Sequence, residues 1–508
     1  MKALSVERSI CEGHNEVKEL FQFVTQHARD LTAYQMEQGI FAKVMSIGLA
    51  AMKCYFAAKG TGDVGDELRF DDGTVATKAK GLCGREYFSV FGKFSVPRTV
   101  YRAYARPGVM PLEAQADLPE RCYSYLLQEW MDHLSIRESF QASEVTLKTL
   151  LGLQVRASRF EVVTQASVAH PEYEQFYVEK SPPSPEQEGA IQVLGFDGKG
   201  VPMIKREVAA LKARLGKGEK RQHTKEALVG VSYSIDPHVR SAEEVAARLV
   251  YPETTPHAAS SATGTPATAP KAQQVRRLAS LEQPKQAVVQ EMVRDATRRD
   301  PTHRRPWVVG MDGALGLWAV VASVLRGGEY VGILDIIHVV EYLWQVGNAV
   351  YGEGAAAART WVYDHLVAIL QGRAGRVIGG LKQLMSKHRL TASQRKACTQ
   401  AITYFENHRP WMQYDVYLKA GYPIGSGVVE STCGHTVKDR MEGSGRRWSL
   451  TGAESVLLLR SITTSGDWDT YWESHMHQER RRLYGPTLDA LGIAETYHEL
   501  PGEKVVGI

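Results

Sequence analysis

The chain is 508 residues long, 44% hydrophobic and 23% charged, a globular composition at roughly three times the size of a single domain, so more than one core is expected. Lys and Arg number 61 against 57 Asp and Glu, and a net charge of +4 is too small to imply a polyanionic partner; any nucleic-acid surface must be local. Six scattered cysteines with no C-x-x-C pair argue against a disulfide scaffold and a zinc ribbon.

The first twenty residues carry Lys2, Glu7, Arg8, Glu12 and Glu16 where a secretory signal would be apolar, so a cytoplasmic location is expected. From Val17 to Ala57 apolar residues recur at three and four, which predicts amphipathic helix. Short alternating runs around Tyr87–Val90 and Phe94–Val96 then lead into a basic and aromatic string, Arg98 to Arg106, and a small antiparallel sheet fits both. Residues 1–110 are read as one helical and small-sheet region.

Residues 111–180 contain three successive helical stretches, Leu126–Leu134, Phe140–Leu151 and Ala157–Ala169, with Gly152 between the last two. This spacing admits either a plain trihelical core or a helix-turn-helix, whose third helix would enter a major groove with Arg156 and Arg159 near its start. A Ser-Pro-Pro-Ser-Pro linker follows at 181.

Residues 189–345 read as the first part of a catalytic core. An apolar strand from Ile191 ends in Asp197-Gly198. A second strand, Ala227–Ile235, comes after a loop rich in basic residues from Lys212 to Lys225. Thr254–Pro270 holds only Thr, Pro, Ala, Ser, Gly and one His, and an insert at 252–275 is expected to be disordered. Trp307–Met311 is another buried strand, ending in Asp312-Gly313. The window to Leu325 approaches the apolarity of a membrane span, but Asp312 within it favours a buried strand and helix, and no membrane association is expected. Residues 346–420 are helical throughout, an insertion with a core of its own. Gly421 to Glu430, a glycine-rich turn feeding a helix, opens the last part of the core, 421–470; the tail, 471–508, gives no fold signal.

Asp197, Asp312 and Glu430 each stand at the end of an element. A strand-terminal Asp-Gly is often only a turn, but three acids that converge repel one another unless a hard cation lies among them, and Mg²⁺, with Mn²⁺ as substitute, prefers such oxygen ligands. Two ions held this way support phosphoryl transfer. Lys438 and Arg440 flank Glu430 on an ideal helix, and Arg446, Arg447 and Trp448 interleave charge with an aromatic ring, suited to phosphates and an unstacked base; a solvated basic face is the plain alternative. Asp335 reads as a helix N-cap or as a ligand, and His338, one turn on, as a partner of the acidic cluster or a packed residue. Cys433 and His435, two residues apart on a helix, point in different directions and do not suggest zinc.

These residues together resemble the DDE transposases of bacterial insertion sequences, in a Kra-type branch related to Mutator and hAT transposases. The likeness rests on Asp197-Gly198, Met311-Asp312-Gly313, Asp335-Ile-Ile-His338, Tyr422 to Glu430, Lys438-Asp-Arg440-Met and Gly445-Arg-Arg-Trp448-Ser, and spans about residues 85 to 465. It implies an α+β, RNase H-like catalytic domain interrupted by a helical insertion, Asp197, Asp312 and Glu430 as the metal triad, and DNA transposition by strand cleavage at element ends and 3′-OH strand transfer. The low-complexity segment lengthens the interval from Asp197 to Asp312, and no cysteine-rich knuckle stands near Tyr101 to Gly108, which argues against an N-terminal zinc site.

The expected partners are double-stranded DNA, as terminal repeats and target, and further copies of the chain, acting at the nucleoid. Arg98, Arg102, Arg156 and Arg159 are the expected DNA contacts of the N-terminal part. Two rivals are a non-catalytic DNA-binding descendant, which would have lost an acid, and a tyrosine or serine recombinase, for which Tyr404 beside His408 and Arg409 is the available nucleophile.

Overall fold

A computed structural model describes residues 2–104, 107–169, 171–209, 223–252, 269–326, 328–443 and 445–494. The basic loop expected at 212–222, most of the expected disordered insert (253–268) and Arg106 lie outside the described residues. The chain divides into two compact units, Met1–Phe176 with Asp469–Ile508, and Tyr177–Trp468.

The first unit opens with a helical hairpin, α1 (Val6–His27) and α2 (Ala33–Lys59). Thr32 and Gln35 cap each other's backbone at the start of α2. Short strands follow: β1 (Glu67–Arg69), β2 (Val75–Lys78), β3 (Cys83–Ser89), β4 (Gly92–Arg98) and β5 (Tyr101–Arg102). They form an antiparallel sheet in the order β1-β2-β5 and a separate β3-β4 hairpin. After α3 (Pro111–Gln115) come α4 (Tyr125–Ser135), α5 (Phe140–Leu151) and α6 (Ala157–Ser167), three helices sharing a core of Leu127, Met131, Leu147, Phe160 and Val163. Ser124 and Ser139 cap the first two, and Gly152, in the left-handed region at φ 70°, ends α5. A helix α7 (Glu172–Glu179) leads to the second unit.

The 471–508 tail is not featureless. Its start belongs to a 24-residue helix, and Tyr471 and Tyr484 donate to the carbonyls of Ser167 (2.7 Å) and Leu118 (2.5 Å). Its charged text and internal Pro486 conceal the helix in the sequence, because its buried apolar positions, among them Tyr471, Trp472, Tyr484 and Leu488, are spread among charged residues.

The second unit is built on a mixed five-stranded sheet. Its elements run β6 (Ile191–Pro202), α8 (Lys205–Ala209), β7 (Thr224–Ile235), α9 (Ala242–Val250), β8 (Gln273–Ser280), α10 (Lys285–Arg299), β9 (Trp307–Met311), α11 (Leu315–Val324), β10 (Val331–Leu334) and α12 (Ile336–Tyr351). The strand order is β10-β9-β6-β7-β8. β6, β9 and β10 are parallel, whereas β7 is antiparallel to both β6 and β8. The architecture is thus mixed α+β.

β8 corrects the expected insert at its C-terminal end: residues 273–275 belong to a strand. The strand tolerates Arg276 in a buried position because Glu291 and Asp295 pair with it and its guanidinium stacks on Tyr177, 3.7 Å from the ring centroid. The apolar window at 307–325 is β9 and α11. One helix among the described residues, α2, is long and apolar enough to cross a membrane by length and composition.

Helices α13 (Ala356–Leu370), α14 (Ala374–Lys387), α15 (Ala392–His408) and α16 (Tyr414–Lys419) occupy the expected insertion. They share one continuous core with α12 and the sheet, through Leu343, Val362, Leu366, Leu381 and Phe405. The chain then makes α17 (Gly427–Thr432), a π-helical turn at Cys433–Lys438, α18 (Asp439–Met441) and α19 (Leu450–Ser465). The last helix, α20 (Trp468–Leu491), is the one that opens the tail.

Candidate metal centre

Three parallel strands carry acids at one level. Asp312 and Asp335 directly follow the last residues of β9 and β10, whereas β6, expected to end at Asp197-Gly198, runs on to Pro202 because residues 198–202 keep pairing with β7, so Asp197 lies within it. Phe196 of β6 is paired in register with Met311 of β9, and Met311 with Leu334 of β10. The residue after each of these is Asp197, Asp312 and Asp335. Parallel neighbours in register project to the same side of a sheet, so the pairing sets three carboxylates side by side along one edge.

Asp197 is half-buried. Its Oδ1 accepts from the Gly198 N–H at 2.7 Å and its Oδ2 from the Cys433 thiol at 3.3 Å. Burial raises its pKa, with Asp312 adding to the effect, against the thiol and the N–H, which stabilise the charged form. Burial and the neighbouring Asp197 push the Cys433 thiol up, so it remains a proton donor. Asp312 Oδ1 accepts from the Ala314 N–H at 3.0 Å, closing a turn into α11.

Asp335 is 1% exposed. It is the N-cap of α12, accepting from Ile337 N–H at 3.0 Å, and it also takes the Ser426 hydroxyl at 2.6 Å. The cap and ligand readings of this residue are therefore compatible, because a carboxylate has lone pairs enough for both.

Glu430 reaches the same place from the other side. Gly195, in the middle of β6, leaves room for Val429: a Cβ on Gly195 would lie 2.8 Å from a Val429 methyl carbon, so a side chain there would lift α17 off the sheet. The Ile336 N–H donates to Ile424 O at 3.0 Å, holding the glycine-rich turn against the start of α12. Glu430 Oε1 lies 3.1 Å from Ser426 Oγ. Asp335, His338 and Glu430 each place a ligand atom within 4.8 Å of the others.

His338 contacts Glu341 at 3.1 Å and lies 3.9 Å from Asp335. Burial works against its charged form, but Asp335, Glu341 and Asp312 outweigh it and hold its pKa above the ordinary histidine value. Ser426 has one hydroxyl proton for two carboxylates, so it satisfies only one at a time. Hard oxygen donors crowded in this way, with one imidazole beside them, suit a divalent cation such as Mg²⁺ or Mn²⁺.

The expected basic residues separate into two kinds. Arg102, Arg156 and Arg159 in the first unit, and Lys438 and Arg447 in the second, are exposed. Arg98 is not available to DNA: it is buried, paired with Glu113 and bonded to Gly84 O. Arg440 and Trp448 are also buried, against each other, with the guanidinium carbon 4.4 Å from the ring centroid and the indole N–H donating to Met441 O at 3.2 Å. They form a structural pair rather than a phosphate and base contact. Arg446 is half-buried and donates to Arg440 O at 2.6 Å. The ideal-helix placement of Lys438 and Arg440 around Glu430 fails because the π-helical turn inserts between them. Cys433 turns toward Asp197 while His435 is exposed beside Asp439 at 3.1 Å.

Sequence reasoning missed Ser426, whose i, i+4 spacing to Glu430 was a visible signal, and the meeting of Asp335 with Glu430, for which there was none. Comparison of the sequence with protein-family models and with curated proteins returns no match.

Proposed function

We propose that the chain is a DDE-type DNA transposase with an RNase H-like core, acting by metal-dependent phosphoryl transfer. The observation that carries this reading is the register row: Asp197 and Asp312 extend neighbouring parallel strands at one level, and α17 delivers Glu430 to the same edge. The sheet order β10-β9-β6-β7-β8, with one acid within the first strand of this unit in chain order and another directly after the fourth, supports the RNase H-like assignment, and the helices between Asp335 and Glu430 stand where the resemblance expects an insertion.

In this reading Asp197, Asp312 and Glu430 hold the cations, with Asp335 and His338 beside them. Bound divalent cations would activate a water or a 3′-hydroxyl and stabilise the departing oxygen. Asp197 is aligned by Gly198 and Cys433, Asp312 by its turn, and Glu430 by Ser426 and the seat of Val429 on Gly195. In the first step water oxygen attacks phosphorus at the element end, the P–O3′ bond breaks, and a 3′-hydroxyl and a 5′-phosphate result. In the second, that 3′-hydroxyl oxygen attacks a phosphorus of the target strand, a new P–O3′ bond forms, and the target's own P–O3′ bond breaks to release a target 3′-hydroxyl. Lys438 and Arg447 are placed to meet the backbone.

Two observations weigh against the rivals. All three acids are present, unlike in a non-catalytic descendant. The Tyr404 hydroxyl is shut from solvent, with its ring stacked on Tyr342 at 4.1 Å, which is a poor position for a recombinase nucleophile. The test is cleavage of DNA carrying the inverted repeats that flank the coding sequence, by purified protein with Mg²⁺ or Mn²⁺, alongside Mn²⁺ binding followed by electron paramagnetic resonance. Cleavage stopped by chelation, and Mn²⁺ binding lost in Asp197→Asn, are expected. Undiminished cleavage in excess chelator, or a trapped protein–DNA adduct, would overturn the reading.

A further inference from the structure

Strand β6 carries more chemistry than Asp197. Past that residue it keeps pairing with β7, placing Lys199 opposite Ala227. Side chains alternate along a strand, so positions 195, 197 and 199 share one face of the sheet while Gly198 and Gly200 lie on the other. On the shared face the three positions meet one stretch of chain in order. Gly195 lies under Val429, Asp197 accepts from the Cys433 thiol at 3.3 Å, and Lys199 Nζ lies 3.2 Å from Glu442 Oε1.

From this geometry we infer that Lys199 contacts the substrate: its ammonium takes the DNA phosphate next to the one being cut, and Glu442 holds its place until the strand arrives. The inference rests on the transposase reading and extends it to a residue that touches DNA at the metal centre itself.

Position and charge both support this role. Two residues along a strand span about 6.8 Å, so Lys199 stands one pleat beyond Asp197. β9 pairs with β6 as far as Phe196, so Lys199 lies past the end of β9, and its side chain is 32% exposed. Asp197, Asp312, Asp335 and Glu430 bring four carboxylates to this edge. Two divalent cations would balance those four charges and leave none for the phosphates on either side of the scissile bond. An ammonium fixed beside the acids supplies the missing positive charge. Lysine suits the task as a compact point charge with three donors, which accepts a phosphate from several directions.

Glu442 serves as a placeholder and contributes little to the fold. Its side chain is 29% exposed, and an ion pair so open to water adds little stability. The backbone there is held without the pair, since Glu442 N–H donates to Lys438 O at 3.0 Å. Exchanging the carboxylate for a phosphate oxygen keeps one charge-assisted hydrogen bond. Until then the pair holds the lysine beside the site, so less side-chain freedom is lost on binding. Further along, the end of β6 is tied to the segment that carries Arg447: Trp448 N–H donates to Pro202 O at 3.1 Å and Ile204 N–H to Trp448 O at 2.9 Å. Asp197, Lys199 and Arg447 therefore follow one another along β6, an order suited to successive phosphates of one strand.

The experiment uses the full chain and DNA carrying the inverted repeats that flank the coding sequence, with binding measured in excess chelator and cleavage with Mg²⁺. Lys199→Met and Glu442→Gln break the same ion pair, so a pair that only braced the fold would make both variants bind worse. The inference requires opposite signs. Lys199→Met should weaken binding about tenfold and lower its salt dependence by about one ion. Glu442→Gln should tighten binding about threefold, a gain that should vanish once Lys199→Met is added. Lys199→Arg should restore most of the affinity, and thermal midpoints should stay at the wild-type value throughout. An uncharged methylphosphonate at one of the two phosphates flanking the scissile bond should cost the wild type as much binding as Lys199→Met does, and should cost Lys199→Met nothing further. Wild-type binding by Lys199→Met, the same sign in both variants, a Glu442→Gln gain that survives without Lys199, or equal methylphosphonate losses in wild type and Lys199→Met would overturn the inference while a cleaving wild type keeps the transposase reading. A wild type that neither binds nor cuts this DNA ends that reading and the inference with it.

Discussion

The ring of Tyr404 occupies the space that any side chain on residue 313 would need: a Cβ built on Gly313 would collide with its Cε2. The helix that carries Tyr404 also carries His408, whose Nε2 lies 2.9 Å from Gly313 O. The backbone immediately after Asp312 is therefore held by α15, so the helices between Asp335 and Glu430 help to shape the candidate site and are not a mere spacer.

Gly313→Ala should displace either the Asp312 turn or Tyr404. Overpacking of this kind costs about 1–3 kcal/mol, and cleavage should fall at least tenfold. The double variant Gly313→Ala, Tyr404→Ala should recover part of the stability lost in Gly313→Ala alone. A double-mutant cycle on thermal stability measures this coupling; additive effects would show that the two residues do not press on each other.

Asp312→Asn should abolish cleavage while leaving DNA binding and thermal stability intact, because it removes charge from a crowded site and keeps size. Asp335→Asn should be milder. The amide still caps α12, leaving cleavage measurable, but Mn²⁺ affinity should drop because Asp335 stands within 4.8 Å of Glu430 and His338 at their ligand atoms. Parallel cleavage and Mn²⁺ titrations decide the ranking; an inactive Asp335→Asn beside an active Asp312→Asn would reverse it.

Asp132 in α4 is fully buried, and burial pushes its pKa up to about 8, with Glu129 adding and the Ser167 hydroxyl opposing. Since the folded value lies above the unfolded one, the fold holds a proton that the unfolded chain releases near pH 4. Stability of the first unit should therefore fall by about 1.4 kcal/mol for each pH unit between about 4 and 8 and level off above. Asp132→Asn should remove this slope and be the more stable protein at pH 8. Thermal midpoints of both proteins at pH 5 and pH 8 provide the check.

The buried and exposed arginines should behave oppositely. Arg98→Ala leaves Glu113 buried with only Arg85, at 2.5 Å, to pair it, and should destabilise the first unit by about 3 kcal/mol or more. Arg447→Ala and Lys438→Ala should leave stability within about 0.5 kcal/mol. They should weaken DNA binding and lower its salt dependence by about one ion for each positive charge removed. Binding isotherms at several salt concentrations distinguish the two classes.

The linear sequence determined the chemical types of the site and most elements around it, but not the tail helix α20 or the strand β8. Hydrophobic period and capping residues are local properties, so the three helices of 125–167, the strand that carries Asp197, the strand ending just before Asp312, and the turn before Glu430 were legible; that β6 runs past Asp197 to Pro202 was not. The sheet order, the levelling of Asp335 with Asp197 and Asp312, and the approach of Glu430 depend on pairing between segments far apart in the chain, which no local pattern records. Burial of Arg98, Arg440 and Trp448 was hidden for a related reason: a charged residue reads as surface until the folded chain supplies its counter-charge or aromatic face. The π-helical turn after Glu430 breaks the regular period from which side-chain directions were projected. Which residues are present was written in the sequence; which of them meet was decided by long-range register, the single-atom clearances at Gly195 and Gly313, and the burial of charge in pairs.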